Sequence, residues 1–483
     1  MKKIFKFLLL TFFLISTLIP LRSEMLKLDL QEAKQIALNN NSEIKIARQQ
    51  VEKAQAQITQ ARSRFLPQVN AFSSFQHSWA LGEQKMRNFL KPTLAPLYTD
   101  IGDAFQTLGQ QTQNQDLIQQ GKNLARQGRM MPDYMSMSFG IENTATYGLK
   151  LQQPLFRGGT IWNSYQSAKL RKEMAQSKLR SKKNELLTKV KSAYYQTLLA
   201  KLSIDVSKQA LEFAKENLQN VKKFYEQGKV TKLDKLRANV QVSNFKPQLI
   251  TAQNQLKRSK TNLTIILGLK KETDLTLTDS LKFKRTPLLD RSLEELIQIA
   301  IKNRPEMKTV EIQKKLSQNQ IQVAKGAFLP NISLGTTYQY QGMRNDLNYG
   351  WDDFDKSFNT SISLSIPIFT GFKRTSKIEE AQVSLNSSKE QKRSVQDKIR
   401  MDVKNSYYSL QEAYEKVQAQ ELTIKQAKEA LRLAQLQYSE GAATQLEVID
   451  ANLSYKKAKM NYHQSLMKYN TAKANLKKAI NKL

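Results

Sequence analysis

Few residues in this chain of 483 could do covalent or metal chemistry: it has no cysteine and only two histidines, His77 and His463. Without thiols there are no disulfides, no thiolate nucleophile, no zinc site of the Cys type and no lipid-bearing cysteine at a mature N-terminus. One histidine falls in a predicted strand and the other in a predicted helix, and neither a metal cage nor a nucleophile triad can be built around them. No glycine-rich phosphate loop occurs either. The densest cluster of soft donors is Met130, Met131, Met135 and Met137. Thioethers so placed could hold Cu(I), although apolar filling is the commoner use of methionine. The sequence therefore implies no enzyme and no cofactor.

The elements around these residues speak more plainly. Met1-Lys2-Lys3-Ile4-Phe5-Lys6, an apolar run from Phe7 to Ile19, Pro20 and the small Ser23 form a secretory leader over residues 1–23. That run is shorter than the roughly 20 residues of a membrane-spanning helix, and no later stretch approaches that length. The formal charge is +34, of which Lys2, Lys3, Lys6 and Arg22 belong to the leader. Such an excess suggests nucleic acid or anionic membrane in a cytosolic chain. Here export, and the mixing of Lys and Arg with Glu and Gln along helices, argue against a nucleic-acid partner and for a solvated helical face.

The mature chain is internally duplicated. Leu30-Gln-Glu-Ala-Lys-Gln-Ile36-Ala37 matches Leu293-Glu-Glu-Leu-Ile-Gln-Ile299-Ala300, and without a gap Asn40, Glu43, Ala61 and Phe65-Leu66-Pro67 match Asn303, Glu306, Ala324 and Phe328-Leu329-Pro330. At a second constant spacing, Pro154-Leu155-Phe156-Arg157-Gly158 matches Pro367-Ile368-Phe369-Thr370-Gly371. Tyr194-Tyr195, Tyr225, Gly228 and Ala238-Asn239 then fall on Tyr407-Tyr408, Tyr438, Gly441 and Ala451-Asn452. The period is far longer than that of a solenoid. The change of spacing places an insertion in the first copy, residues 81–140, rich in Gln, Asn and Leu without strong periodicity. It reads as a large outer-surface loop, exposed by default; plugging the mouth and binding something external are its other readings.

Each copy repeats one order. A short amphipathic helix precedes a helix that stops at Leu-Pro, because proline disfavours α geometry in the residue before it. Strands are expected at 66–80 and 143–155 in the first copy (residues 24–268) and at 329–342 and 357–369 in the second (293–483), with a linker at 269–292. Phe358, Thr360, Ile362, Leu364, Ile366 and Ile368 alternate with Asn359, Ser361, Ser363 and Ser365 up to Pro367. One apolar and one polar face is the pattern of a membrane barrel wall. Long helices follow at 160–226 and 373–439. Val190, Thr197, Ile204, Leu211, Leu218 and Tyr225, and Val403, Leu410, Val417, Ile424, Leu431 and Tyr438, recur every seventh residue as coiled-coil seams. Both helices end at a Gly turn, and returning helices are expected at 231–267 and 444–481, with Thr231 and Thr444 as N-caps and Asp234 and Glu447 at capping-box spacing.

Four strands cannot close a barrel, and an open edge does not survive in lipid, so strands must be shared between chains. Two chains give eight strands and a filled interior; three give twelve and a lumen.

This layout resembles the TolC-like outer-membrane efflux family. The resemblance rests on the leader, the duplicated order, Leu-Pro before the first strand and Pro-x-Phe-x-Gly after the second. The tips Tyr225-x-x-Gly228-x-x-Thr231-x-Leu-Asp234 and Tyr438-x-x-Gly441-x-x-Thr444-x-Leu-Glu447-Val-Ile-Asp450 extend it. It implies a mixed α and β membrane protein: a homotrimer whose twelve-stranded β-barrel, four strands per chain, sits in outer-membrane lipid and continues as a long coiled-coil α-helical barrel in the periplasm. It further implies export of drugs, metals or polypeptides, with tips that dock a periplasmic adaptor and, through it, an inner-membrane transporter. Gly228, Lys229, Thr231, Gly441, Ala442 and Thr444 would form the docking tips. By position, Glu447 and Asp450 match the family's acidic pore constriction, with a solvated helix-capping pair as the plainer reading. Asp234 and Tyr438 match its gating latch, although Ala443 stands where a basic latch residue is expected and Lys229 and Lys232 are the nearby cations. A non-conducting coiled-coil scaffold is the alternative from another class, and the alternating strands speak against it.

Overall fold

A computed structural model describes residues 26–270 and 273–482, so the leader read at 1–23 lies outside the described residues. In chain order the elements are β1 (Leu26–Leu28), α1 (Leu30–Asn40), α2 (Ser42–Ser63), β2 (Gln68–His77) and β3 (Gly82–Arg87). Then come α3 (Lys91–Gln111), α4 (Gln115–Arg129), β4 (Tyr134–Phe139) and β5 (Asn143–Arg157). The first long hairpin is α5 (Thr160–Glu226) and α6 (Lys232–Leu267), followed by β6 (Leu275–Leu277). The second copy supplies α7 (Leu293–Asn303), α8 (Pro305–Gly326), β7 (Asn331–Arg344), β8 (Phe354–Ser365), α9 (Lys373–Ser439) and α10 (Gln445–Ala479). The chain forms two units. One is helical and comprises residues up to Ser63, Gly159–Phe328 and Phe369 onward; the other comprises Arg64–Gly158 and Leu329–Ile368.

In the helical unit α5 and α9 each run 67 residues, or about 100 Å at 1.5 Å per residue. Their seams are sealed in the middle and looser toward the tips. Val190, Thr197, Val403, Leu410 and Val417 are fully buried, whereas Tyr225 is 37% exposed. Thr197 is tolerated in a dry seam because its hydroxyl donates to the Ala193 carbonyl at 2.8 Å. In that middle stretch the core closes around Tyr194, whose hydroxyl is within hydrogen-bond distance of the Leu28 carbonyl (3.1 Å) and Asp279 Oδ2 (2.9 Å). The parallel pair of β1 and β6 lies there, with Leu28, Leu275 and Leu296 buried. α1 begins with a full capping box between Asp29 and Glu32. Among the described residues no helix is long and apolar enough to cross a membrane.

The second unit holds one antiparallel sheet in the order β2-β5-β7-β8. Its register puts Ala71, Leu149, Tyr338 and Phe358 in one cross-strand row and Asn70, Lys150, Thr337 and Asn359 in the next. Successive side chains point to opposite faces, so one face is apolar and the other polar. Phe358, Ile362 and Leu364 are all more than 60% exposed in the single chain, and β2 and β8 are open edges. From Ile332 to Gly342 the apolar face rises about 33 Å along the strand, which the usual tilt of about 40° reduces to a band of about 25 Å. The last strand ends at Ser365 and not at 369. Pro367 has no N–H to give a ladder, so the alternation outlasts the pairing.

The insertion is not the irregular loop expected from its sequence. β3 and β4 pair antiparallel as a ribbon, and α3 and α4 form a helical hairpin between them. The seam of that hairpin consists of Gly102, Gly109, Gly121, Ala125 and Gly128. A Cβ on Gly102 would lie 2.6 Å from both the Gly121 carbonyl oxygen and the Ala125 nitrogen. Helix periodicity written in glycine and alanine is invisible to a search for large apolar residues. Met130 caps the end of α4 and is exposed, while Met135 pairs with Met86 across the ribbon.

Candidate functional site at the helical hairpin tips

Both tips turn by the same backbone device. Gly228 and Gly441 take φ of +71° and +78°, a region open to glycine at little cost. The Lys229 N–H reaches the Phe224 carbonyl at 2.9 Å and the Gly228 N–H reaches that of Tyr225 at 3.0 Å. In the second tip Ala442 bonds Gln437 at 2.8 Å and Gly441 bonds Tyr438 at 3.2 Å. These paired bonds satisfy carbonyls that a helix end leaves open.

The returning helices start differently. Thr231 accepts from the Asp234 N–H at 3.2 Å, and Asp234 Oδ2 accepts from the Thr231 N–H at 3.0 Å and its hydroxyl at 2.7 Å. The Thr231 hydroxyl, opposed by partial burial and helped by Arg237, holds the Asp234 carboxyl below its usual range. Thr444 accepts from the Glu447 N–H at 3.4 Å and donates to Glu447 Oε1 at 3.0 Å. The reciprocal bond from the Thr444 N–H is absent among the described residues, so the second box is half made. A longer carboxylate side chain leaves Glu447 exposed, and Asp450, one turn on along the same helix face, is exposed too.

A groove of about 410 Å³ joins the two tips, lined by residues including Phe224, Lys229, Asp234, Tyr438, Ala443 and Gln445. Thr231, Gly441 and Thr444 also border it, whereas Gly228, Ala442, Glu447 and Asp450 do not. Phe224 meets Tyr438 edge-on with centroids 6.3 Å apart. The Tyr438 hydroxyl is buried without a hydrogen-bond partner among the described residues, and burial followed by the Asp234 charge raises its pKa. Sequence reasoning missed Phe224 and a set of buried amides. Gln445 and Asn452 are 4% and 5% exposed, and Gln445 Oε1 and Nε2 and Asn452 Nδ2 lack partners among the described residues. The signal was legible: Gln445, Val448 and Asn452 follow the helical period of a buried stripe.

A four-stranded sheet with one apolar face, one polar face and open edges, carried in a chain with two helical hairpins of this length, defines the class of outer-membrane export channels. Comparison with known proteins makes this specific. The chain belongs to the outer membrane efflux protein family, which matches it over residues 33–269 and 296–482. It is 22% identical to the outer membrane protein TolC of Vibrio cholerae, over 70% of this chain and 76% of that one. It is likewise 22% identical to the alkaline protease secretion protein AprF of Pseudomonas aeruginosa, over 68% of each. The outer membrane channel CmeC of Campylobacter jejuni shares its fold with a TM-score of 0.70 at 15% identity, covering 94% of this chain and 85% of that one. The fold is thus that of a family of transport channels, and the protein is an outer-membrane export channel.

Proposed function

We propose that three copies of this chain close their sheets, β8 of one against β2 of the next, into a twelve-stranded barrel in outer-membrane lipid. Their six hairpins form a twelve-helix tunnel in the periplasm. The observation that carries this reading is the pair of open edges on a sheet that is apolar on one face and polar on the other. Unpaired strand edges are untenable in lipid, and the polar face supplies the lining of an aqueous lumen. The chain supplies a path and no reaction; energy comes from an inner-membrane transporter coupled through a periplasmic adaptor. Relatives named for alkaline protease secretion and for solvent efflux support a cargo of unfolded polypeptide or small toxic molecules.

In this reading Gly228, Lys229, Thr231, Gly441, Ala442 and Thr444 form the docking surface. Glu447 and Asp450 of three chains ring the periplasmic mouth, a well for cations and a barrier to anions. Asp234 and Tyr438 face the shared groove and latch the tips, with Lys229 beside them in place of a cation at Ala443. Planar-bilayer conductance of the purified protein tests this. Discrete conductance steps with cation preference are expected, and that preference falls toward unity in the Glu447→Gln, Asp450→Asn variant. Absence of steps would leave a non-conducting scaffold, and unchanged selectivity in the variant would remove the acidic ring.

A further inference from the structure

The helical hairpin of the insertion has a second face. α3 turns Gly102 and Gly109 toward α4, and on its other side Leu90, Leu94, Leu97, Ile101, Ala104 and Leu108 follow one another at alternating steps of four and three residues. Leu90, Leu97, Ile101 and Leu108 are 41%, 49%, 41% and 50% exposed in the single chain. This is a heptad seam, with Leu94, Ile101 and Leu108 at a and Leu90, Leu97 and Ala104 at d, and among the described residues it lacks a partner helix.

We infer that the α3 helices of neighbouring copies pack along this seam as a parallel three-helix coiled coil over the outer mouth of the barrel. The inference rests on the threefold closure proposed above. Two features select a second copy as the occupant. A helix lying on lipid carries a basic polar face. Here the flank away from α4 carries Thr93, Asp100, Asp103 and Thr107, which an anionic membrane surface repels, and the flank toward α4 carries the half-buried Tyr98 and Phe105. Connectivity places the hairpin at the seam between copies, because the β3–β4 ribbon that carries it continues from β2, an open edge where the next chain must pair. Every copy carries the same stripe, so three related by one axis satisfy one another without a further component.

The absence of cysteine makes the test direct. Ile101→Cys and Leu108→Cys, at the seam, and Asp103→Cys, on its flank, are oxidised mildly in the purified full-length protein in detergent, alongside native mass measurement. A trimeric mass with covalent dimers formed several-fold faster at 101 and 108 than at 103 is the expected result. A trimeric mass with no preference for the seam positions overturns the coiled coil and leaves threefold closure standing. A monomeric mass overturns both. Each substituted residue is exposed in the single chain, so folding is not at stake.

Discussion

The two copies of the duplicated unit keep the same backbone and differ in what their side chains are asked to bear. Lys191 and Lys404 occupy equivalent places on α5 and α9, one turn before the paired tyrosines. Lys191 is 7% exposed and has neither ion pair nor hydrogen bond among the described residues; Lys404 is exposed. The tips differ too, with a full capping box at Thr231 and half of one at Thr444, and with an exposed Tyr225 against a half-buried Tyr438 whose hydroxyl is out of solvent. Duplication preserved the devices that turn and end helices, which are local. Burial and charge, which depend on neighbours, diverged.

The largest effect expected from this asymmetry is at Lys191. Burial, and then the like charges of Lys34 and Lys477, lower its pKa to about 8. A folded-state pKa depressed below the unfolded value near 10.5 means that the unfolded chain binds the extra proton between those limits. Stability from this group is therefore lost at neutral pH and recovered as pH rises from about 8 to about 10.5. Lys191→Met should stabilise the protein at pH 7 by roughly 2–3 kcal/mol, and Lys404→Met by close to nothing. Calorimetry on the purified chain checks both. The gap between wild type and Lys191→Met should narrow toward pH 10, and a gap independent of pH would mean that Lys191 is not an uncompensated charge.

A smaller difference is expected at the caps. Thr231→Ala removes an acceptor for a backbone N–H and a donor to Asp234, and should cost about 1–2 kcal/mol; Thr444→Ala should cost about 0.5–1 kcal/mol. Hydrogen exchange of the first-turn amides of α6 and α10 reads the two separately. Equal acceleration in both variants would erase the distinction between a whole and a half capping box.

How far the sequence disclosed this arrangement follows from the range of each interaction. Seven-residue seams, Gly turns and Thr caps announce themselves within a few residues, and the matching of Pro154 to Pro367 exposed the duplication. The alternation from Phe358 to Ile368 disclosed a two-faced strand, but its end at Ser365 depends on pairing with β7. The insertion stayed hidden because its buried seam is Gly102, Gly109, Gly121 and Gly128, residues that ordinarily argue against a helix. Tyr438 was singled out by its place in the tip motif. That its ring would meet Phe224 from the other hairpin is a fact of packing between segments far apart in the chain.

The smallest effect is the most discriminating. A buried hydroxyl without a partner is unfavourable in the single chain, so Tyr438→Phe should leave stability unchanged or raise it by up to about 1 kcal/mol. Tyr225→Phe should do nothing, because the ring that Lys235 approaches to 4.8 Å survives the change. If the hydroxyl serves the latch, its partner arrives only when the tips of the assembled channel close around Asp234. Tyr438→Phe should then raise conductance of the assembled protein while the isolated chain is as stable as before. A parallel fall in stability and rise in conductance would instead make Tyr438 a packing residue, and unchanged conductance would confine the latch to other groups in the groove.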